Sequence, residues 1–225
     1  MIRDAIDRVY RDARGLESGL DPDLSQRDLI GFLTRMGMLR ATAMLKGVGQ
    51  GYSEPTVKLR SRGHITFGSR VRLGRYVSID GLSRRGVHLA DGVTIDDFAI
   101  LRGSGVVRNL GVGISIGEHT SIGAHNFLHG GGGIDIGANC LLGPHVSVFT
   151  ENHRFSEREV PIREQGEERR SVSIGDNVWI GAQSVILAGV TLGSNSIIGA
   201  GAVVSKSVEA DSIYVGNPAR KVRDR

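Results

Sequence analysis

The stretch from Ile174 to Glu209 limits what this chain can fold into more than any other. Written in sixes it reads IGDNVW, IGAQSV, ILAGVT, LGSNSI, IGAGAV, VSKSVE. The first place is always a branched aliphatic (Ile174, Ile180, Ile186, Leu192, Ile198, Val204). The fifth is always small or β-branched (Val178, Ser184, Val190, Ser196, Ala202, Val208). Glycine takes the second place at Gly175, Gly181, Gly193 and Gly199. A period of six suits neither one helical face, which repeats every ~3.6 residues, nor a plain strand, which alternates. It suits an all-β solenoid in which each hexad makes one short strand and one turn. The first and fifth places then point inward, and glycine or asparagine fills turn positions whose positive φ excludes most side chains.

The pattern reaches back, less regularly, to Phe67 as FGSRVR, LGRYVS and IDGLSR, and resumes at Leu89 as LADGVT, IDDFAI, LRGSGV and VRNLGV. The phase slips before Ile116, which opens IGEHTS, IGAHNF and LHGGGG. Two extra residues, Ile134 and Asp135, precede IGANCL, LGPHVS and VFTENH. An aromatic content of only 5% fits a narrow interior that accepts Ile, Val, Ala and Ser. The 33 glycines never fall at every third position, which excludes collagen. The single cysteine, Cys140, falls in a fifth place and reads as core. One cysteine rules out an internal disulfide and fits a reducing compartment, so a cytoplasmic protein is expected. No signal peptide or run of about 20 apolar residues predicts a membrane span. A net charge of +4 favours acidic or phosphorylated partners.

Residues 1–60 read as a helical cap segment and 61–225 as the solenoid domain. Ile2, Ile6, Val9, Tyr10 and Ala13 have helical spacing; Gly15, Gly19 and Asp21-Pro22 end it. Ser25 and Asp28 then start an apolar helix over 26–46. Three uses are open to it: a lid on the open end of the solenoid, a contact with anionic lipid at the inner face of a membrane, or a trimer contact. A basic belt follows: Lys58, Arg60, Arg62, Arg70, Arg72, Arg75, Arg84 and Arg85 against Asp80. It is either a solvated face or a docking surface for an anionic glycan, lipid phosphate or nucleotide. Without an aromatic platform it does not suggest nucleic acid.

The register breaks for one long excursion, Arg154–Ser173, in which ten of twenty residues are charged. Loops of that length in a compact domain are usually functional. His119, His125 and His145 occupy the fourth place, where Asn139, Asn177 and Asn195 sit elsewhere, and read as turn residues. His129, with the Gly130–Gly133 run, falls one coil before the excursion; it reads as a substrate contact or an exposed turn. His153 differs from all of these, since it follows Asn152 at the mouth of the loop. An imidazole there is the group best matched to taking a proton from a hydroxyl or amine near neutrality.

The hexads and the passage TENHRFSEREVPIREQGEERRSVSIGDNVWIGA from Thr150 to Ala182, with IGAGAVV and GNPARKVR further on, resemble the left-handed β-helix hexapeptide-repeat acyltransferases. Among these the chain is similar to sugar and polysaccharide O-acetyltransferases such as the maltose and galactoside enzymes. The likeness is close over residues 114–225, loose over 65–113, and does not extend to 1–60. It implies a left-handed parallel β-helix of about six three-sided coils, a homotrimer, and acetyl-CoA as co-substrate with no metal. By the resemblance His153 is the general base, Trp179 walls the acetyl and acceptor pocket, and the N–H of Ala182 beside Gly181 faces the thioester oxygen. Ala200 contacts the pantetheine arm, and Ser205, Lys206, Arg220 and Arg223 surround the nucleotide end of the cofactor. Glu151, Asn152 and His129 fall on the acceptor side, His129 near the family's acceptor-binding asparagine. Glu151, Glu157 or a main-chain carbonyl would orient the imidazole of His153. The N-terminal segment holds no match to the acidic residue and arginine by which galactoside-type enzymes grip their sugar.

The expected activity is acetyl transfer from coenzyme A to a sugar or glycan hydroxyl, in polysaccharide or cell-surface glycan synthesis. N-acetylation of a nucleotide-linked amino sugar would use the same base and donor, and a non-catalytic scaffold would need only the hexads. A zinc lyase on this fold needs a close histidine pair, and no pair here has the required five-residue separation.

Overall fold

The computed structural model describes residues 6–7, 21, 23–104 and 107–225. Apart from Ile6 and Asp7, the helical spacing expected over 1–14 lies outside the described residues. From Tyr52 the chain winds as a left-handed parallel β-helix with three walls. The first wall stacks Tyr52–Ser53, Arg72–Leu73, Thr94–Ile95, Ser121–Ile122, Leu141–Leu142, Trp179–Ile180, Ile197–Ile198 and Ser212–Val215. The second stacks Lys58–Arg60, Ser78–Asp80, Ile100–Arg102, Phe127–His129, Ser147–Phe149, Val185–Ile186 and Val203–Val204. The third stacks Ile65–Phe67, Val87–Leu89, Ile114–Ile116, Ile134–Ile136, Val172–Ile174 and Thr191–Leu192. Six coils are complete, and each adds about 4.8 Å of height, the ordinary inter-strand spacing.

Two expectations shift. The solenoid opens at Tyr52, ahead of residue 61, because Tyr52–Ser53 already pairs in parallel with Arg72–Leu73. Charged outward residues crowd its strands there, so the apolar signal is thin. LRGSGV and VRNLGV are not two successive walls either. Leu101 points into the core, but the next third-wall strand starts only at Ile114.

The inward places behave as the period requires. Ile180, Ile186, Leu192 and Ile198, with the fifth-place Ser184, Ser196 and Ala202, are all at 0% exposure. Cys140 is likewise in the core. Burying each large aliphatic contributes about 1.5–3 kcal/mol, so the stack of like residues is the main stabilising term.

The three corners differ. Between the third and first walls, His119, Asn139, Asn177 and Asn195 hold the left-handed conformation at φ 57°, 57°, 56° and 61°. There the Asn177 amide donates to Asn195 at 2.9 Å and Asn195 donates to Asp211 at 2.9 Å. Between the first and second walls, His125 and His145 take the same slot, φ 59° each, and stack at 4.8 Å. Between the second and third walls lie all the irregular connections: 81–86, 103–113, 130–133 and the excursion after Phe149.

The helix Gln26–Leu45 starts with a capping box, Ser25 accepting from the Asp28 N–H while Asp28 accepts from Ser25. It closes the open end: Ala43 and Val48 join the core cluster, Lys46 donates to the Val57 carbonyl at 2.8 Å, and Arg35 pairs with Glu54 at 2.7 Å. Its outer side leaves Ile30, Leu33, Met38, Met44 and Leu45 exposed. No helix among the described residues is long and apolar enough to cross a membrane. The basic belt is not one surface. Lys58 and Arg60 lie on the second wall and Arg72 on the first, Arg75 pairs with Asp97 at 2.6 Å, and Arg85 pairs with Asp135 at 3.1 Å. A period of six sends neighbours to different sides.

Candidate active site

The excursion is a hairpin rather than an open loop. Glu151–His153 pairs antiparallel with Glu167–Arg169, Asn152 opposite Glu168 and His153 opposite Glu167. It therefore begins before residue 154, at the strand that carries His153, and the coil resumes at Val172. The EERR run supplied the missed signal, since a strand alternates its faces. Glu167 and Arg169 turn inward to the root while Glu168 and Arg170 pair outside at 2.6 Å.

The root is built from charge. Glu151 lies between Arg169, Nε to Oε2 3.1 Å, and His129, Nδ1 to Oε1 3.6 Å. Arg169 also donates to the carbonyls of Asn109 at 3.0 Å and Leu110 at 3.3 Å, which ties the hairpin to the 103–113 connection. Thr150 donates to the His129 carbonyl at 2.5 Å and accepts from the Gly132 N–H at 2.7 Å. A Cβ on Gly131 would stand 2.6 Å from Glu151 Oε2, and one on Gly132 would stand 2.5 Å from the Thr150 carbonyl. The glycine run is the close-approach surface on which the hairpin sits.

His129 is neither exposed nor in a turn: it ends a second-wall strand at 7% exposure. Burial pushes its pKa below the usual imidazole value, helped by Arg102 and Arg169 and opposed by Glu151 and Glu167. Glu151 is committed to Arg169 and His129, so it is not the group that orients His153. Among the described residues Glu157 is engaged through its backbone, with Gln165 and Val160. His153 itself is exposed, and its side chain makes no hydrogen bond among the described residues. Asn152 is exposed on the opposite face of the strand.

The cofactor-side candidates lie elsewhere. Ala182 and Ala200 stack at the corner between the first and second walls, and neither N–H has an acceptor among the described residues. Gly143 and Gly181 keep them open, because a Cβ there would stand 2.7 Å from the Ala182 nitrogen and 2.5 Å from the Ala200 nitrogen. Trp179 stands on the first wall at 53% exposure. With Leu141, Ile197 and Arg225 it lines a shallow groove of about 190 Å³. Ser205 and Lys206 are exposed on the hairpin's edge, two coils further on. Arg220 and Arg223 are exposed on the antiparallel strand Arg220–Asp224, and neither forms an ion pair among the described residues. One chain thus divides the set: His153, Glu151, Asn152, His129, Ser205 and Lys206 follow one edge, while Ala182, Ala200 and Trp179 lie across the second wall from it. Sequence reasoning missed Thr150, Arg169 and the Asn109 and Leu110 carbonyls. These contacts join segments whose alignment depends on the length of irregular connections.

Residues 171–206 match the family described as bacterial transferase hexapeptide (six repeats). The galactoside O-acetyltransferase of Escherichia coli is 38% identical over 92 residues, 40% of this chain and 44% of that protein. The enzyme of the same name from Lactococcus lactis is 36% identical over 95 residues, 40% and 44% of the two chains. The chain therefore spans less than half the length of these curated relatives. A crystal structure of AntD, an N-acyltransferase from Bacillus cereus in complex with dTDP and 3-hydroxybutyryl-CoA, superposes with a TM-score of 0.58 at 26% identity, over 82% of this chain and 88% of that one.

Proposed function

We propose that this hexapeptide-repeat protein transfers an acetyl group from coenzyme A to a hydroxyl of a sugar or glycan, with His153 as the general base. The observation that carries the reading is the exposed imidazole on a strand whose neighbour, Glu151, is pinned by Arg169 and His129. The base is held in place without its own nitrogens being consumed.

The open N–H groups of Ala182 and Ala200 fit the donor. An amide donor aimed at a thioester oxygen stabilises the charge that develops there, which typically makes a large contribution to acyl-transfer catalysis. The uncompensated Lys206, Arg220 and Arg223 suit the phosphates of the nucleotide end. Ala182 and Ala200 lie across a wall from the hairpin, so we place the reaction in the cleft between two subunits of a homotrimer. His153 removes the acceptor proton as its oxygen attacks the thioester carbon. The tetrahedral oxyanion collapses, the C–S bond breaks, and the thiolate recovers the proton from the imidazolium. The balance is one ester formed and one thiol released, with no metal in the step. A cytoplasmic protein of glycan synthesis, touching the inner membrane face through Ile30, Leu33, Met44 and Leu45, completes the proposal.

A second reading, N-acylation of a nucleotide-linked amino sugar, is favoured by the likeness to AntD. Assaying thiol release from acetyl-CoA with hydroxyl and amino acceptors side by side separates the two. In either case His153→Ala is expected to lose about 10²–10⁴ in turnover while coenzyme A affinity, measured by calorimetry, stays within a few-fold. A variant with full turnover rejects the assignment.

A further inference from the structure

We propose that the second wall, beside the hairpin root, binds a sugar carrying a carboxylate, and that the Arg102 guanidinium recognises that carboxylate. The inference rests on acetyl transfer at the neighbouring hairpin and names the class of its acceptor.

In strand register Arg102 lies beside His129, and His129 beside Phe149. Phe127 stands in the adjoining column. Its ring centre is 5.8 Å from the Arg102 guanidinium carbon, 5.8 Å from the Phe149 ring and 6.0 Å from the His129 ring. The patch runs directly into the hairpin, whose first strand starts at Glu151. Arg102 is exposed, and among the described residues its side chain makes no hydrogen bond or ion pair, while its carbonyl accepts from the Gly130 N–H at 2.9 Å. Other arginines of this edge are neutralised: Arg169 by Glu151 and Glu167, Arg85 by Asp135. The carboxylates near Arg102 are already engaged. Asp80, its partner in register, accepts from Ser61 at 3.1 Å and from the Leu82 N–H at 3.1 Å, and Glu151 serves Arg169 and His129.

A planar cation over an aromatic ring, beside a second ring and without an ion-pair partner among the described residues, is complementary to a particular ligand. The C–H face of a sugar ring packs on Phe127 and Phe149, and a carboxylate takes the guanidinium fork in a charge-assisted pair. A single uncompensated positive charge matches a monoanionic carboxylate better than a dianionic phosphate. His129, which burial holds toward its neutral form, adds hydrogen-bonding capacity without a second charge.

The test uses the full chain with acetyl-CoA and three acceptors: a methyl galacturonoside, the neutral methyl galactoside and galactose 6-phosphate. The wild type is expected to show its lowest KM with the uronoside. Arg102→Ala should raise that KM about tenfold or more and leave the neutral sugar unchanged, with Arg102→Lys intermediate. Phe127→Ala should raise KM for charged and neutral sugars alike. An Arg102→Ala effect equal for charged and neutral sugars, or a preference for the neutral or phosphorylated one, overturns the proposal. Ligand-observed NMR of uronoside binding without acetyl-CoA keeps the two readings apart. Uronoside binding that Arg102→Ala abolishes, with no acetyl transfer to any acceptor, supports the site and overturns acetyl transfer. Coenzyme A binding and transfer without uronoside preference overturns the site alone.

Discussion

At the corner between the third and first walls, Asn139, Asn177 and Asn195 repeat one turn with φ within a few degrees, and the amides of Asn177 and Asn195 form a ladder. At the corner between the second and third walls, the connections 81–86, 103–113 and 130–133 and the hairpin after Phe149 are all different. Both corners are crossed by the same coils over the same core. The regular corner shows what the hexad needs in order to fold: an inward aliphatic, a small inward residue and one left-handed turn. The irregular corner shows what the fold tolerates once those needs are met, and there the charged and titratable groups collect.

The comparison can be broken first in the core. Leu192→Ala, at a wholly buried first-place position, is expected to cost about 2–5 kcal/mol in denaturant unfolding while leaving the geometry of the hairpin edge intact. A loss under about 1 kcal/mol, by the same measurement, would mean that the stack is not what holds the coils.

At the hairpin root, Arg169→Ala removes donors to Glu151 and to two carbonyls and leaves a partly buried carboxylate beside His129. Hydrogen bonds to charged groups contribute about 1.5–3 kcal/mol each, so acetyl transfer should fall about tenfold or more and limited proteolysis should cut the hairpin sooner. Arg169→Lys, which keeps charge but not the fork, should recover only part of the rate. Unchanged rate and cleavage in the alanine variant would detach the root from the chemistry.

At the regular corner, Asn195→Ala loses two ladder hydrogen bonds and places a less tolerant residue at φ 61°. About 1–2 kcal/mol of stability should go, with turnover per folded molecule unchanged.

The smallest effect is the pH response of His129. Its pKa is lowered in the folded state, so the unfolded chain binds the proton first. The stability it supports is complete above about pH 6.5, the unfolded imidazole value, and is lost as pH falls below that toward the folded value. His129→Asn should flatten that part of the stability–pH curve, and an identical slope in the variant would contradict the assignment.

The late coils were legible in the sequence because each inward residue reports on a local period, from Ile174 through Val208. The turn role of His119, His125 and His145 was legible for the same reason, since a fourth-place residue meets one backbone conformation. The early coils were harder to read, because Lys58, Arg60 and Arg72 face outward on short strands and the 103–113 connection mimics two hexads. The Glu151–Arg169–His129 cluster was hidden, since it joins segments whose spacing depends on how far irregular connections travel. The resemblance pointed to His153, but it could not say that Glu151 was already committed elsewhere.

If the hexads fold the protein and the hairpin performs its chemistry, the two must be separable. The direct measurement is to replace residues 151–171 with a tight turn copied from Leu187–Val190 of the next coil, then record thermal unfolding, coenzyme A affinity and acetyl transfer together. The expected result is a cooperative β transition within a few degrees of wild type, coenzyme A still bound, and no transfer. Transfer at the wild-type rate from the trimmed chain would contradict it.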